Sequence, residues 1–139
     1  MNTQLFDLIR QHRHELIENL VNGLQQGGAP HYQKIARDLL TTRGTKLVAA
    51  LEGAVGDSPD ALVEHLRKIA DERMAEGFDL SEIQTALTLL ESKMWFLCAQ
   101  TTPSREMLLG QLSLVTSLIG HAKDVLACSH STNRRSSDC

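Results

Sequence analysis

The chain has 139 residues, of which 42% are hydrophobic and 22% are charged. These values are typical of a single folded domain and exclude disorder for most of the chain. The net charge is −3, and the lysines and arginines are scattered rather than gathered in a stripe, so the sequence predicts no nucleic-acid-binding surface.

The first half of the chain predicts three helices separated by glycine and proline. Thr3 can cap a first helix over residues 4–24, and the segment 27–30 ends it, with Pro30 opening the next helix. That second helix is predicted to end near Gly44, and its predicted buried stripe comprises Tyr32, Ile35, Ala36, Leu39 and Leu40. Thr45 can cap a third helix over residues 46–51.

The second half predicts three longer helices. Pro59 stands at the first position of a helix that reaches Ala75, a second helix covers residues 81–99, and Pro103 opens the last. No segment alternates apolar and polar residues as a strand does. We therefore expect an all-α bundle of about five to six helices over residues 1–128, followed by a disordered polar tail over residues 129–139.

The most specific pattern in the chain lies where the predicted helix that reaches Ala75 meets the predicted helix over residues 81–99. Gly77 can adopt the left-handed conformation that ends one helix, and Asp79 or Ser81 can cap the next. Arg73, Gly77 and Glu82 are the residues expected to fix this bend, with the Arg73 guanidinium holding carbonyl groups or a carboxylate such as that of Glu82. The alternative is that Arg73 recognises an anion or a protein partner at this bend.

This segment resembles the N-terminal sensory domain of the RsbT co-antagonist (RsbR-type) family of stressosome proteins. The resemblance is carried by the pattern Leu66-x-x-Ile69-Ala70, followed by Arg73-x-x-x-Gly77-Phe78-x-Leu80-x-Glu82-Ile83-x-x-Ala86-Leu87. It extends more loosely over residues 4–127. It implies a globin-like bundle without haem that forms a homodimer and passes a signal through its last helix. Only the polar tail follows here, where the family has an output domain, so we expect a free-standing sensor or partner-binding subunit.

The last two predicted helices have apolar faces wider than one packing contact requires. Leu114, Leu118, Val125 and Trp95 are the candidate residues of a dimer interface. The pattern alone fits a central core helix equally well, and the resemblance favours the dimer.

Nothing in the sequence predicts catalysis. It has no Gly-x-Ser-x-Gly element, and its glycine pairs connect predicted helices rather than a strand and a helix. We predict a non-enzymatic sensory or regulatory domain of bacterial stress or signal transduction, which binds a protein partner or a small ligand and needs no cofactor. Leu8, Tyr32, Leu66, Leu87 and Leu112 could line a ligand cavity. The alternative hypothesis is a haem- or metal-binding protein that uses His65 or His121.

Three features predict the cellular location. The longest uncharged segment, residues 107–122, is too short and too polar to span a membrane. Charged residues within the first turns leave no apolar signal-peptide region. The three cysteines are widely spaced and form no Cys-x-x-Cys motif, which suits a reducing compartment. We therefore expect a cytoplasmic protein without membrane contact.

Overall fold

The computed structural model describes residues 3–27 and 30–129. Within these ranges the chain forms seven helices and no strand, which confirms the all-α prediction and exceeds the predicted number of helices by at least one. Of the tail expected over residues 129–139, Ser129 is the last residue of a helix, and the remainder lies outside the described residues. The helices are α1 (Thr3–Gln11), α2 (Arg13–Gln26), α3 (Pro30–Gln33), α4 (Arg37–Gly56), α5 (Asp60–Ala75), α6 (Leu80–Thr101) and α7 (Arg105–Ser129).

Five of these helices pack in a closed ring around a single aliphatic core. In order around the ring, α2 contacts α4, α4 contacts α5, α5 contacts α7, α7 contacts α6, and α6 returns to α2. Helix α1 lies against α4, and the short α3 lies against α2. The core side chains are mostly Leu, Ile and Val, as expected for a chain with few aromatic residues. No helix in the described part of the chain is long and apolar enough to cross a membrane.

The predicted first helix is divided in two at His12. His12 leaves the helical conformation, with φ −110° and ψ 19°. Hydrogen bonds from the His12 N–H to the Leu8 carbonyl and from the Leu16 N–H to the His12 carbonyl cross the break. The chain therefore bends at His12 while the apolar stripe continues on both sides, which is why periodicity alone predicted one helix.

The predicted helix end at Gly44 is wrong, because α4 continues through it to Gly56. Gly44 is buried against α2, where an added Cβ would lie 3.6 Å from Leu20 Cδ2. The glycine therefore lies at a helix crossing rather than at a helix end. The predicted stripe is confirmed only in part: Tyr32 and Leu40 are buried and Ile35 is half-buried, whereas Ala36 and Leu39 are exposed.

The other predicted boundaries are close to those observed. Pro30 opens α3, and α5 begins directly after Pro59, with the Ser58 hydroxyl accepting a hydrogen bond from the Asp60 N–H at 3.3 Å. At the start of α7, the Ser104 hydroxyl accepts one from the Met107 N–H. Prolines and small polar residues end or begin helices here for the local reasons read from the sequence.

Candidate functional site

A cavity of about 630 Å³ lies between α4 and α5. This volume falls within the range of about 300–1,000 Å³ that small-molecule sites occupy. The deep wall is aliphatic and comes from α2, α4, α5 and α6, with one aromatic side chain from α3. Its apolar lining residues include Leu20, Leu24, Tyr32, Leu40, Leu47, Leu66, Ile69, Ile83, Ala86 and Leu87.

Four cations line the same cavity. Arg43 and Lys46 come from α4, and Lys68 and Arg73 come from α5, whereas Glu72 is the one carboxylate among the lining residues. Arg43 and Lys46 are three positions apart and therefore share one side of α4. The lining is therefore positively charged in a chain whose net charge is −3.

Two nitrogen atoms of the cavity residues are buried without a hydrogen-bond partner in the described part of the chain. They are Nη1 of Arg43 and Nε2 of His65. Nη2 of Arg43 lies 3.4 Å from Oε2 of Glu76, which is also 3.4 Å from Nη1 of Arg73, so one carboxylate is shared by two guanidinium groups. An unpaired buried polar group costs about 1–3 kcal/mol. The Arg43 guanidinium and the His65 imidazole can therefore each form a further hydrogen bond.

The surroundings of the cavity change the pKa of two of its side chains. Burial lowers the pKa of His65, and the positive charges of Lys46, Lys68 and Arg73 lower it further. Burial also raises the pKa of Tyr32 to about 12, although the charge of Arg73 opposes the change. Both side chains are therefore neutral at pH 7 and add no charge to the cationic lining.

The predicted bend lies directly beside the cavity and has the expected local geometry. Gly77 has a φ of +100°, which L side chains rarely adopt. The Phe78 N–H donates to the Arg73 carbonyl and the Gly77 N–H donates to the Met74 carbonyl, at 3.0 and 3.1 Å. These two bonds form a Schellman motif that ends α5.

Glu82 ties the bend to α3. Its buried carboxylate accepts hydrogen bonds from the backbone N–H groups of Asp79 and His31, at 3.1 and 2.9 Å, and its Oε1 lies 2.6 Å from Nδ1 of His31. Burial raises the pKa of Glu82, but these hydrogen bonds outweigh that effect and lower it below 4.5. The expectation that Arg73 would hold Glu82 is not met, because the carboxylate partner of Arg73 is Glu76.

The α6–α7 contact is the most extensive between any two helices, and it leaves aromatic surface exposed. Trp95 is 45% exposed, and its Nε1 donates a hydrogen bond to the Thr116 hydroxyl at 3.1 Å. Phe96 is also exposed, with Nζ of Lys93 4.7 Å from its ring centroid. Leu109 on α7 is the most exposed of the large apolar residues described.

The four predicted interface residues differ in their accessibility. Trp95 is exposed, and Leu114 and Val125 are half-buried. Leu118 is only 8% exposed and belongs to the chain's own core, so it offers little surface to a second subunit. The sequence did not single out Leu109, which the structure exposes.

The two histidines of the haem or metal hypothesis are far from equivalent. His65 lines the cavity, whereas His121 is exposed on α7 and is not part of the lining. Among the described residues, no group of three His, Cys, Asp or Glu side chains could hold a metal ion.

The sequence identified part of the cavity. Of its predicted lining residues, Tyr32, Leu66 and Leu87 line the observed cavity, whereas Leu8 and Leu112 lie in other parts of the fold. Of the four cations, the sequence singled out Arg73 but missed Arg43, Lys46 and Lys68. The signal available for Lys68 was its spacing from His65 and Glu72 along one predicted helix, beside an apolar stripe.

Comparisons of this chain with protein-family models, with curated proteins and with solved structures find no match.

Proposed function

We propose that this chain is a non-enzymatic sensory or regulatory domain of bacterial stress or signal transduction, with a globin-like helical arrangement that holds no haem. It acts in the cytoplasm as a homodimer that binds a protein partner, and a small ligand in the cavity changes how its last helices pack. The resemblance carried by residues 66–87 to the stressosome sensory domains supports this proposal, as do the cavity and the exposed aromatic surface.

The single observation that carries the proposal is the course of α6. Ile83, Ala86 and Leu87 in its first half line the cavity, and Trp95 in its second half is exposed beside α7. Leu87 and Trp95 are separated by about 12 Å along the axis, at 1.5 Å per residue. A ligand that binds one position of α6 more tightly than another would shift the population of helix positions at the exposed surface.

The dimer is tested by measuring the molar mass of the protein by light scattering or sedimentation. The wild-type chain is expected to be a dimer, and Trp95→Glu is expected to lower its mass toward that of a monomer, because the new charge would be buried in the interface. Thr45→Glu is the matched control, since it adds the same charge at an exposed position on α4, across the ring from α6 and α7. A monomeric wild-type protein, or equal effects of the two substitutions, would contradict this interface.

A second candidate function is haem binding through His65, and one observation favours it. Nε2 of His65 is buried without a partner in the wall of the cavity, and a neutral imidazole is the form that binds iron. The absorption spectrum after incubation with haem separates the two candidates. A Soret band that is lost in His65→Ala but retained in His121→Ala would replace the haem-free proposal, and absence of the band would exclude this alternative.

A further inference from the structure

We propose that the cavity between α4 and α5 binds an aliphatic small molecule with a single anionic head group. This inference rests on the proposed function and names the class of ligand that the cavity accepts. The lining combines a deep aliphatic wall with cations, and these two surfaces match the two ends of such a molecule.

The head group is recognised by the cationic side of the cavity. Arg43 and Lys46 from α4 and Lys68 and Arg73 from α5 outnumber Glu72, the carboxylate of the lining, and Glu76, which the two arginines share. Nη1 of Arg43 also has no acceptor among the described residues. A carboxylate or phosphate would supply acceptor oxygens and reduce the repulsion among the cations.

The aliphatic end is accommodated by the deep wall. Leu39 and Ala50 from α4 and Ile69 from α5 line the cavity and keep accessible apolar surface, so the wall offers hydrocarbon but few polar partners. A nucleotide or a sugar would leave its hydroxyl groups unsatisfied against this wall, which disfavours such ligands. An alkyl chain has no polar groups to leave unsatisfied against this wall, and each buried methylene strengthens binding about fourfold.

The experiment is calorimetric titration of the full chain with decanoate, below its micelle concentration. Decanoate is expected to bind in a saturable manner, and octanoate about 16-fold more weakly, because it lacks two methylene groups. Decanol is expected to bind at least tenfold more weakly than decanoate, because it cannot form charge-assisted hydrogen bonds. Decyl phosphate, titrated in parallel, distinguishes a phosphate from a carboxylate head group, and tighter binding of either anion than of decanol supports the proposal.

Two pairs of variants locate the binding site. The double variant Lys46→Gln/Lys68→Gln is expected to weaken decanoate binding about threefold to tenfold, as loss of two partly screened charges should. The control Lys34→Gln/Arg67→Gln removes the same charge from exposed positions outside the cavity and is expected to change binding little.

The second pair tests the volume of the cavity. Ala50→Phe places a large side chain in the lining and is expected to abolish binding, while Ala99→Phe, at an exposed position on α6, is expected to preserve it. Helical circular dichroism identifies any variant that fails to fold.

The outcomes separate this inference from the proposed function. Equal affinities for decanol and decanoate, or equal effects of the two double variants, would overturn the anionic class while leaving a ligand-binding domain in place. Absence of binding by decanoate, decyl phosphate and decanol would overturn the ligand inference altogether, and the mass measurement of Trp95→Glu would still test the dimeric regulatory domain. A monomeric protein that binds decanoate would support the ligand inference and contradict the dimer of the proposed function.

Discussion

Substitution of Gly77 by alanine tests whether the bend between α5 and α6 depends on the backbone alone. A Cβ at this position would lie 3.5 Å from Nε2 of His31, which is ordinary contact, so the cost arises from the φ of +100°. An L residue in a left-handed conformation costs about 1–2 kcal/mol. Alanine also reduces the conformational freedom of the unfolded chain, which stabilises the folded state by about 0.4–1 kcal/mol. We therefore expect Gly77→Ala to lower the free energy of unfolding by about 1 kcal/mol.

The matched control is Gly110→Ala, the same chemical change inside α7. A Cβ there would meet nothing within 4 Å, and alanine is the better helix former, so this variant should gain about 0.5–1 kcal/mol. The assay is urea denaturation followed by helical circular dichroism, at one protein concentration and with the slopes compared. Gly77→Asn should recover part of the loss, because asparagine tolerates left-handed conformations. A Gly77→Ala protein as stable as the wild type would refute the reasoning.

Three further predictions concern ionisation. Tyr32 is the single tyrosine, so absorbance titration reports it alone; we expect a midpoint near pH 12 in the folded protein and near 10 in urea, and a midpoint near 10 with intact helices would contradict its burial. Glu82→Gln should lower the free energy of unfolding most above pH 4.5, and this loss should shrink as pH falls through the lowered folded pKa of Glu82. Denaturation at several pH values measures the loss, and a loss that does not change with pH would contradict the role of the hydrogen bonds to Glu82. For His65, whose folded pKa lies below the unfolded value, wild-type stability should fall as pH drops through about 6.5, and the difference from His65→Asn should isolate that slope; an opposite slope would show an anionic partner.

The parts of the fold that sequence predicted are those set by local chemistry. The conformation of Gly77 and the helix start at Pro30 depend on the residue itself and its neighbours, so they were readable from one sequence. The role of Gly44 was not, because a glycine at a helix end and a glycine at a helix crossing have the same local signature. Only the position of α2, with Leu20 packed against Gly44, distinguishes them.

The candidate site follows the same division. Tyr32, Leu66 and Leu87 were predicted to lie together because apolar stripes of packed helices must meet. The cations of α4 and α5 could not be assigned to the cavity, because that requires the relative rotation of two helices. With the α4 helix predicted to end at Gly44, Arg43 and Lys46 belonged to different predicted elements, and their shared side was hidden.

The two ends of α6 differ in what they contact. The first turn is fixed by Glu82, whose carboxylate accepts backbone hydrogen bonds from Asp79 and His31. Farther along, α6 packs extensively against α7, and there Trp95 is half exposed and donates a hydrogen bond to Thr116. A ligand that displaces the cavity wall therefore meets an anchored N-terminal turn, so we expect the displacement to appear where α6 packs against α7, beside the surface that a second subunit would detect.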